Sequence, residues 1–124
     1  MQATFEIRGW DESPVCEWDG GKLTHAAVTK AYAGDIEGDA VLEYLLAYRS
    51  DGTAGFVGIE RITGKAGGRD GGLVLRQVGE FADGVAKATL TVIGGSGGFA
   101  GATGDGELVA DPGGRVTLDL SPGG

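Results

Sequence analysis

Five Asp-Gly dipeptides divide the chain into short apolar segments, and this spacing constrains the fold more than any other feature. They occur at residues 19/20, 51/52, 70/71, 83/84 and 105/106. Asp-Gly suits the two-residue turn of a β-hairpin, because both residues tolerate positive φ. The segments between them are rich in Val, Ile, Leu, Thr, Phe and Tyr, so the chain is expected to fold as a series of antiparallel hairpins.

The apolar segments predict eight strands. Their expected bounds are 3–9, 23–33, 38–49, 53–66, 71–82, 85–94, 99–110 and 115–120. Only AVLEYLLAY (40–48) is rich in helix-forming residues, and its neighbours favour a strand. So many long strands predict an all-β, eight-stranded antiparallel barrel, because closing a sheet removes its exposed edges. A flat sandwich is the alternative.

Length and charge narrow the classes of function. The 124 residues are expected to form a single β-barrel domain over 1–124. A net charge of −8 would repel phosphate backbones and anionic lipid, which argues against nucleic acid and membrane partners. Without a signal peptide or an apolar span, a cytoplasmic location is expected. Cys16 is the only cysteine and is expected to be an inert thiol in a loop.

Two motifs and one histidine resemble parts of cofactor or metal sites but lack the rest of the pattern. GSGGFA (95–100) fits a loose dinucleotide fingerprint, but a strand series surrounds it and no helix pattern follows. The acidic residues of DIEGD (35–39) alternate like calcium ligands, without the turn glycine or the final glutamate. His25 is the only histidine. The sequence therefore predicts no cofactor and no metal.

Hairpin registers predict which charged side chains point inward. A two-residue loop at 68–69 would place Glu60 opposite Gln77. On the other face it would place Arg61 beside Arg76, and two like charges can lie side by side only where water solvates them. Glu60 and Gln77 are therefore expected to face the interior.

The neighbouring Asp-Gly turns extend this interior row. Two-residue loops there would place Gln77 opposite Leu90, and Glu43 directly opposite Glu60. Two buried carboxylates that face each other repel, so at least one is expected to have a raised pKa, or a cation to lie between them. The second strand could supply that cation. One register points Lys30 inward, and the other points His25 inward with Thr29.

Small residues beside the row predict an internal gap. Phe56 is expected to face Phe81 near one end of the barrel, while Gly58, Gly79 and Ala88 leave space between that pair and the row. The outer face of the third strand would then carry an apolar stripe: Leu42, Tyr44, Leu46 and Tyr48. Since such a stripe is costly in water, a homodimer or higher oligomer is expected.

Two segments resemble known families. GGSGGFAGATGDG (94–106) resembles the signature Gly-Gly-Thr-Gly-x-Phe-x-x-Ala-x-Gly of the allene oxide cyclase and dirigent barrels. The matching positions are Ser96, Gly97, Phe99, Ala102 and Gly104. Residues 29–64 and LVLRQVGEF (73–81) resemble a family of small bacterial proteins of unknown function with a similar barrel. The resemblance implies a central cavity for an apolar small molecule, often in oligomers, whereas the active-site pattern of the cyclase has no clear match.

Three hypotheses follow. As an enzyme, the protein would be a cyclase or isomerase of an unsaturated or epoxide-bearing substrate, with Glu60 transferring a proton, Glu43 raising its pKa and Gln77 orienting the substrate. As a binding protein, it would hold an apolar small molecule against Gln77, Phe56, Phe81, Leu90 and Lys30. As a structural layer, the same row would be satisfied by water or by Lys30.

Overall fold

The computed structural model describes residues 1–121 and 123, and its eight strands close into one antiparallel ring. The strands are β1 (Gln2–Trp18), β2 (Gly21–Gly34), β3 (Ile36–Arg49), β4 (Ala54–Ala66), β5 (Arg69–Ala82), β6 (Val85–Gly97), β7 (Thr103–Ala110) and β8 (Gly114–Ser121). The segment from Gln2 to Phe5 pairs with β8 and closes the ring. The prediction of eight antiparallel strands in a closed sheet is confirmed, and the sandwich is excluded.

The first strand is much longer than its predicted range of 3–9. Its pairing with β2 shifts between Ile7 and Gly9 and again between Pro14 and Cys16. Beyond Phe5, β1 pairs with β2 alone among the described residues. An edge of this kind tolerates Pro14, because a residue there need not donate a backbone N–H to a second neighbouring strand. Cys16 lies exposed on this strand, so its predicted place in a loop is wrong.

The register of β5 and β6 is confirmed. Asp83 and Gly84 both have positive φ, 55° and 75°, as a two-residue hairpin turn requires. Glu80 pairs with Lys87 on the outer face, and Gln77 pairs with Leu90 on the inner face, as predicted.

The register of β4 and β5 differs from the prediction by two residues. The turn is Gly67-Gly68, whose φ angles are 58° and 76°, rather than Gly68-Arg69. Glu60 therefore lies opposite Leu75, and Gln77 lies opposite Gly58. A shift of two residues keeps each side chain on its face. Both polar side chains are buried, as predicted.

The register of β3 and β4 differs by one residue, and this reverses the faces of β3. Residues 50–53 form a loop longer than the predicted two residues, so Leu42 rather than Glu43 lies opposite Glu60. A shift of one residue exchanges the inner and outer sets. The facing Glu43–Glu60 pair is therefore wrong. The predicted outer stripe is wrong as well, because its members point inward: Leu42, Tyr44, Leu46 and Tyr48.

The outer face of this sheet carries a different apolar row. Leu45, Val57 and Val78 are direct neighbours across β3, β4 and β5, and all three are exposed. Self-association stays a prediction, and this row is the surface that would support it.

The interior of the ring changes character from one end to the other. At the closed end, beside the 67–68 turn, the ring of Phe99 is buried with Ile36 and Leu73. Phe99 lies in the turn before β7, not on the strand predicted from residue 99. At the other end, beside the 83–84 turn, a cavity opens, and we call this the mouth end. Between the two lies a buried layer of polar side chains.

The predicted gap at Gly58 and Gly79 is filled by aromatic rings. Gly58 pairs with Tyr44, and Gly79 pairs with Phe56. A Cβ at Gly58 would lie 2.5 Å from Cδ1 of Tyr44, and one at Gly79 would lie 2.6 Å from Cζ of Phe56. Each glycine thus leaves space for an aromatic ring to lie against the sheet. The free space of the interior lies closer to the mouth end than predicted.

Substitution of Gly79 by Ala is therefore expected to be costly. The added methyl would overlap the backbone oxygen of Lys87 as well as the ring of Phe56. Overpacking of this kind costs ~1–3 kcal/mol of unfolding free energy. Chemical denaturation would measure the cost, with Gly113→Ala as the control, since a Cβ there meets no atom within 4 Å. Equal stability of the two variants would contradict this packing.

Candidate functional site

A buried layer of polar side chains crosses the middle of the ring, and Glu60 of β4 is its centre. We call it the polar layer, and its members are Lys30, Tyr32, Tyr44, Glu60 and Gln77. The Glu60 side chain is 0% exposed. Tyr32 donates its hydroxyl to Oε2 at 2.5 Å, and Gln77 donates Nε2–H to Oε1 at 2.5 Å. These bonds offset part of the cost of removing a carboxylate from water.

The layer continues from Gln77 toward the cavity. Tyr44 donates its hydroxyl to Oε1 of Gln77 at 2.6 Å. Burial raises the pKa of Tyr44, and that of Tyr32 even more, and the negative charge of Glu60 adds to both shifts. The two phenols therefore stay protonated and act as donors near neutral pH.

Lys30 is the cation of the polar layer. The register of β2 points it inward, which decides between the two alternatives, and Tyr32 lies two residues further on the same face. Its Nζ lies 3.5 Å from Oε1 of Glu60 and 4.0 Å from the ring centroid of Phe5. Burial lowers the pKa of Lys30, although the charge of Glu60 opposes the shift.

The ammonium of Lys30 is incompletely satisfied. Its side chain is 2% exposed, and Nζ has no hydrogen-bond partner among the described residues. Its contact with Glu60 is long, and the Phe5 ring offers only its π face. A buried lysine normally uses its N–H donors. This one has donor capacity left over.

A cavity of about 210 Å³ lies between Lys30 and the mouth end. Its lining is apolar and aromatic: Phe5, Ile7, Trp10, Tyr44, Leu46, Tyr48, Ala54, Phe56, Phe81, Ala86, Leu108 and Ala110, with Lys30 as the charged member. Ile7, Trp10 and Phe81 are partly exposed and form the rim. The volume is below the ~300 Å³ at which pockets for drug-sized ligands begin, so only a small molecule would fit.

Glu12 links β1 to β2 and β3 by hydrogen bonds at the rim of the cavity. It accepts hydrogen bonds from Trp10 Nε1 at 2.8 Å, Thr24 Oγ1 at 2.6 Å and the Tyr48 hydroxyl at 2.8 Å. Partial burial acts to raise the pKa of Glu12, but these donors outweigh it and the pKa is lowered. Burial and the carboxylate of Glu12 raise the pKa of Tyr48 to about 12. The hydrogen bond to Glu12 orients the indole of Trp10, which lines the cavity.

The structure brings most of the predicted site residues together. Phe56 and Phe81 line the cavity with Lys30. Leu90 and Gln77 point inward and are fully buried, yet neither belongs to the cavity lining.

Glu43 does not belong to this group. It lies on the outer face of β3, where its Oε2 is 2.9 Å from Nε2 of His25. The predicted inward position is wrong because the β3–β4 loop is longer than two residues.

Sequence reasoning missed the two tyrosines of the polar layer. Tyr32 lies two positions from Lys30, so the register that points Lys30 inward also points Tyr32 inward. Tyr44 alternates with leucines on the stripe that the wrong register placed outside. The signal in both cases was the alternation of inward and outward side chains along the strand.

The arrangement combines an apolar cavity with one charged donor. Lys30 supplies this donor at the inner end of the cavity, and Glu60, which does not line the cavity, is its counterion. No group of three or more His, Cys, Asp or Glu side chains within the described part of the chain could hold a metal ion. No helix in that part is long and apolar enough to cross a membrane.

Comparisons with known proteins give a family without an assigned function. A family model described as "Protein of unknown function (DUF3224)" matches residues 1–121. A solved structure of a protein with unknown function from the same family, from Shewanella oneidensis MR-1, is similar with a TM-score of 0.81. It is 25% identical, and the match covers 100% of this chain and 96% of that chain. No curated protein matches the chain.

Proposed function

Since the chain belongs to the DUF3224 family, whose function is unknown, we propose from its geometry that it binds a small, largely apolar molecule inside the ring. One observation carries the proposal. An apolar cavity of about 210 Å³ runs from a rim of Ile7, Trp10 and Phe81 to an ammonium group that lacks hydrogen-bond partners among the described residues. Such a cavity would take an apolar body with one polar group.

The volume sets the size of the ligand. A dry cavity of ~150 Å³ takes up benzene, so this one suits a phenyl ring with a short side chain. The aromatic lining favours a flat ring, because Tyr44 and Phe56 already pack edge to face at 5.2 Å between centroids.

Cyclase or isomerase activity, the enzyme hypothesis drawn from Glu60, Glu43 and Gln77, has weaker support. Glu60 lies behind Lys30 and does not line the cavity, and Glu43 lies outside the ring. A reaction in the cavity would therefore involve Lys30 first. Binding needs no such step, and it is the function that the geometry supports best.

Binding of cinnamyl alcohol, a phenyl ring with a short polar chain, tests this proposal. Calorimetry should show one site per chain. Ala86→Phe places a ring in the cavity lining and should weaken binding at least tenfold, or ~1.4 kcal/mol. Ala82→Phe is the matched control, since Ala82 is exposed on the same hairpin and outside the lining. Equal binding by both variants, or none by the parent protein, would refute the proposal.

A further inference from the structure

We infer that Lys30 binds small apolar aldehydes covalently, as a protonated imine held beside the carboxylate of Glu60. The inference rests on the proposed function, because the aldehyde must first enter the cavity. It names the class of ligand and the bond that would retain it.

The position of Lys30 supports this chemistry. Its amine is buried, yet it belongs to the lining of a cavity that opens between Trp10 and Phe81. A carbonyl group bound there with its apolar body toward the mouth would meet Nζ first. The other lysines, Lys22, Lys65 and Lys87, are exposed. Lys30 is therefore the lysine that an apolar aldehyde would meet in a water-excluded place.

The reaction balances with the groups present. The ammonium passes one proton to Oε1 of Glu60, 3.5 Å away, and the freed lone pair of Nζ attacks the carbonyl carbon. A second proton moves from nitrogen to the carbonyl oxygen, and the proton on Glu60 completes a leaving water as the C–O bond breaks. One proton stays on nitrogen. The product is one protonated imine, one carboxylate and one water.

The charges favour an aldehyde over a carboxylic acid. A carboxylate ligand would add a second negative charge near Glu60, inside an apolar cavity where unpaired charge is costly. Imine formation keeps the charge of nitrogen at +1, paired with the same carboxylate. Burial also lowers the pKa of Lys30, which makes the free amine easier to reach.

Reductive trapping with cinnamaldehyde tests the inference. The full chain is incubated with the aldehyde and cyanoborohydride near neutral pH, and each lysine is assayed by mass spectrometry after digestion. Lys30 should be labelled at least tenfold faster than Lys22, Lys65 or Lys87. In urea this preference should disappear. Equal labelling of all four lysines in the folded protein would overturn the inference.

Two variants separate imine formation at Lys30 from access to the cavity. Lys30→Arg keeps the charge but cannot form an imine, so it should lose the site-specific adduct. Should Lys30→Arg fail to fold, Ala86→Phe keeps Lys30 and should reduce its labelling at least tenfold by blocking the cavity. If cinnamyl alcohol binds but Lys30 stays unlabelled, the inference falls and the proposed function stands. If cinnamate binds more tightly than the alcohol while Lys30 stays unlabelled, the ligand class is an acid and the inference is likewise wrong.

Discussion

Replacement of Glu60 by Gln is expected to lower the free energy of unfolding by ~3–5 kcal/mol, because it leaves the buried ammonium of Lys30 without a counterion. Glutamine has nearly the same shape, so packing around Tyr32 and Gln77 changes little. Its amide nitrogen replaces one of the two oxygens that accept hydrogen bonds from these side chains, which adds to the loss. Denaturant unfolding near neutral pH would measure it. The matched control is Glu43→Gln, because Glu43 is exposed and its contact with His25 contributes at most ~1 kcal/mol.

Two further measurements identify Lys30 as the cause. In Glu60→Gln the pKa of Lys30 is lowered by burial, with no carboxylate to oppose it. Between that lowered pKa and the unfolded value of 10.5 the unfolded chain binds more protons, so stability should rise with pH across this window. The double variant Lys30→Met/Glu60→Gln should recover stability relative to Glu60→Gln. Equal losses for Glu60→Gln and Glu43→Gln would contradict the buried pair.

Replacement of Phe99 by Ala should cost ~3–5 kcal/mol of unfolding free energy, the usual range for a fully buried phenylalanine. Phe99 is 2% exposed and closes the end of the ring opposite the cavity, where a Cβ added at Gly71 would lie 3.1 Å from Cδ2 of its ring. The affinity for cinnamyl alcohol should be unchanged at a temperature where the variant is still folded. Thermal unfolding and calorimetry on the same samples would check both expectations.

The matched variant is Phe81→Ala at the mouth. Phe81 is 37% exposed, so its loss should cost less stability than that of Phe99. It lines the cavity, so the same substitution should weaken binding. If Phe99→Ala weakens binding as much as Phe81→Ala does, the closed end and the cavity are coupled and the division of the interior is wrong.

The sequence by itself determined the architecture of eight antiparallel strands and which side chains of β4, β5 and β6 point inward. Asp-Gly at 83–84 demands positive φ at both positions, and this local requirement fixed the register of one hairpin correctly. At 67–68 the turn was placed one residue late, but the resulting shift of two residues left Glu60 and Gln77 inside. Local chemistry determines a register when the turn has two residues and few alternatives.

Only the tertiary structure decided what surrounds Glu60. The β3–β4 loop has an Asp-Gly pair but is longer than a two-residue turn, and one residue of difference moved Glu43 outside and Tyr44 inside. The turn of β2 left Lys30 undecided, because AGDIEGD allows either register until both neighbouring strands pair with it. The polar layer therefore depends on pairings between strands. A sequence fixes alternation along each strand, whereas the partner across the sheet is set by loop lengths and by packing of the whole ring.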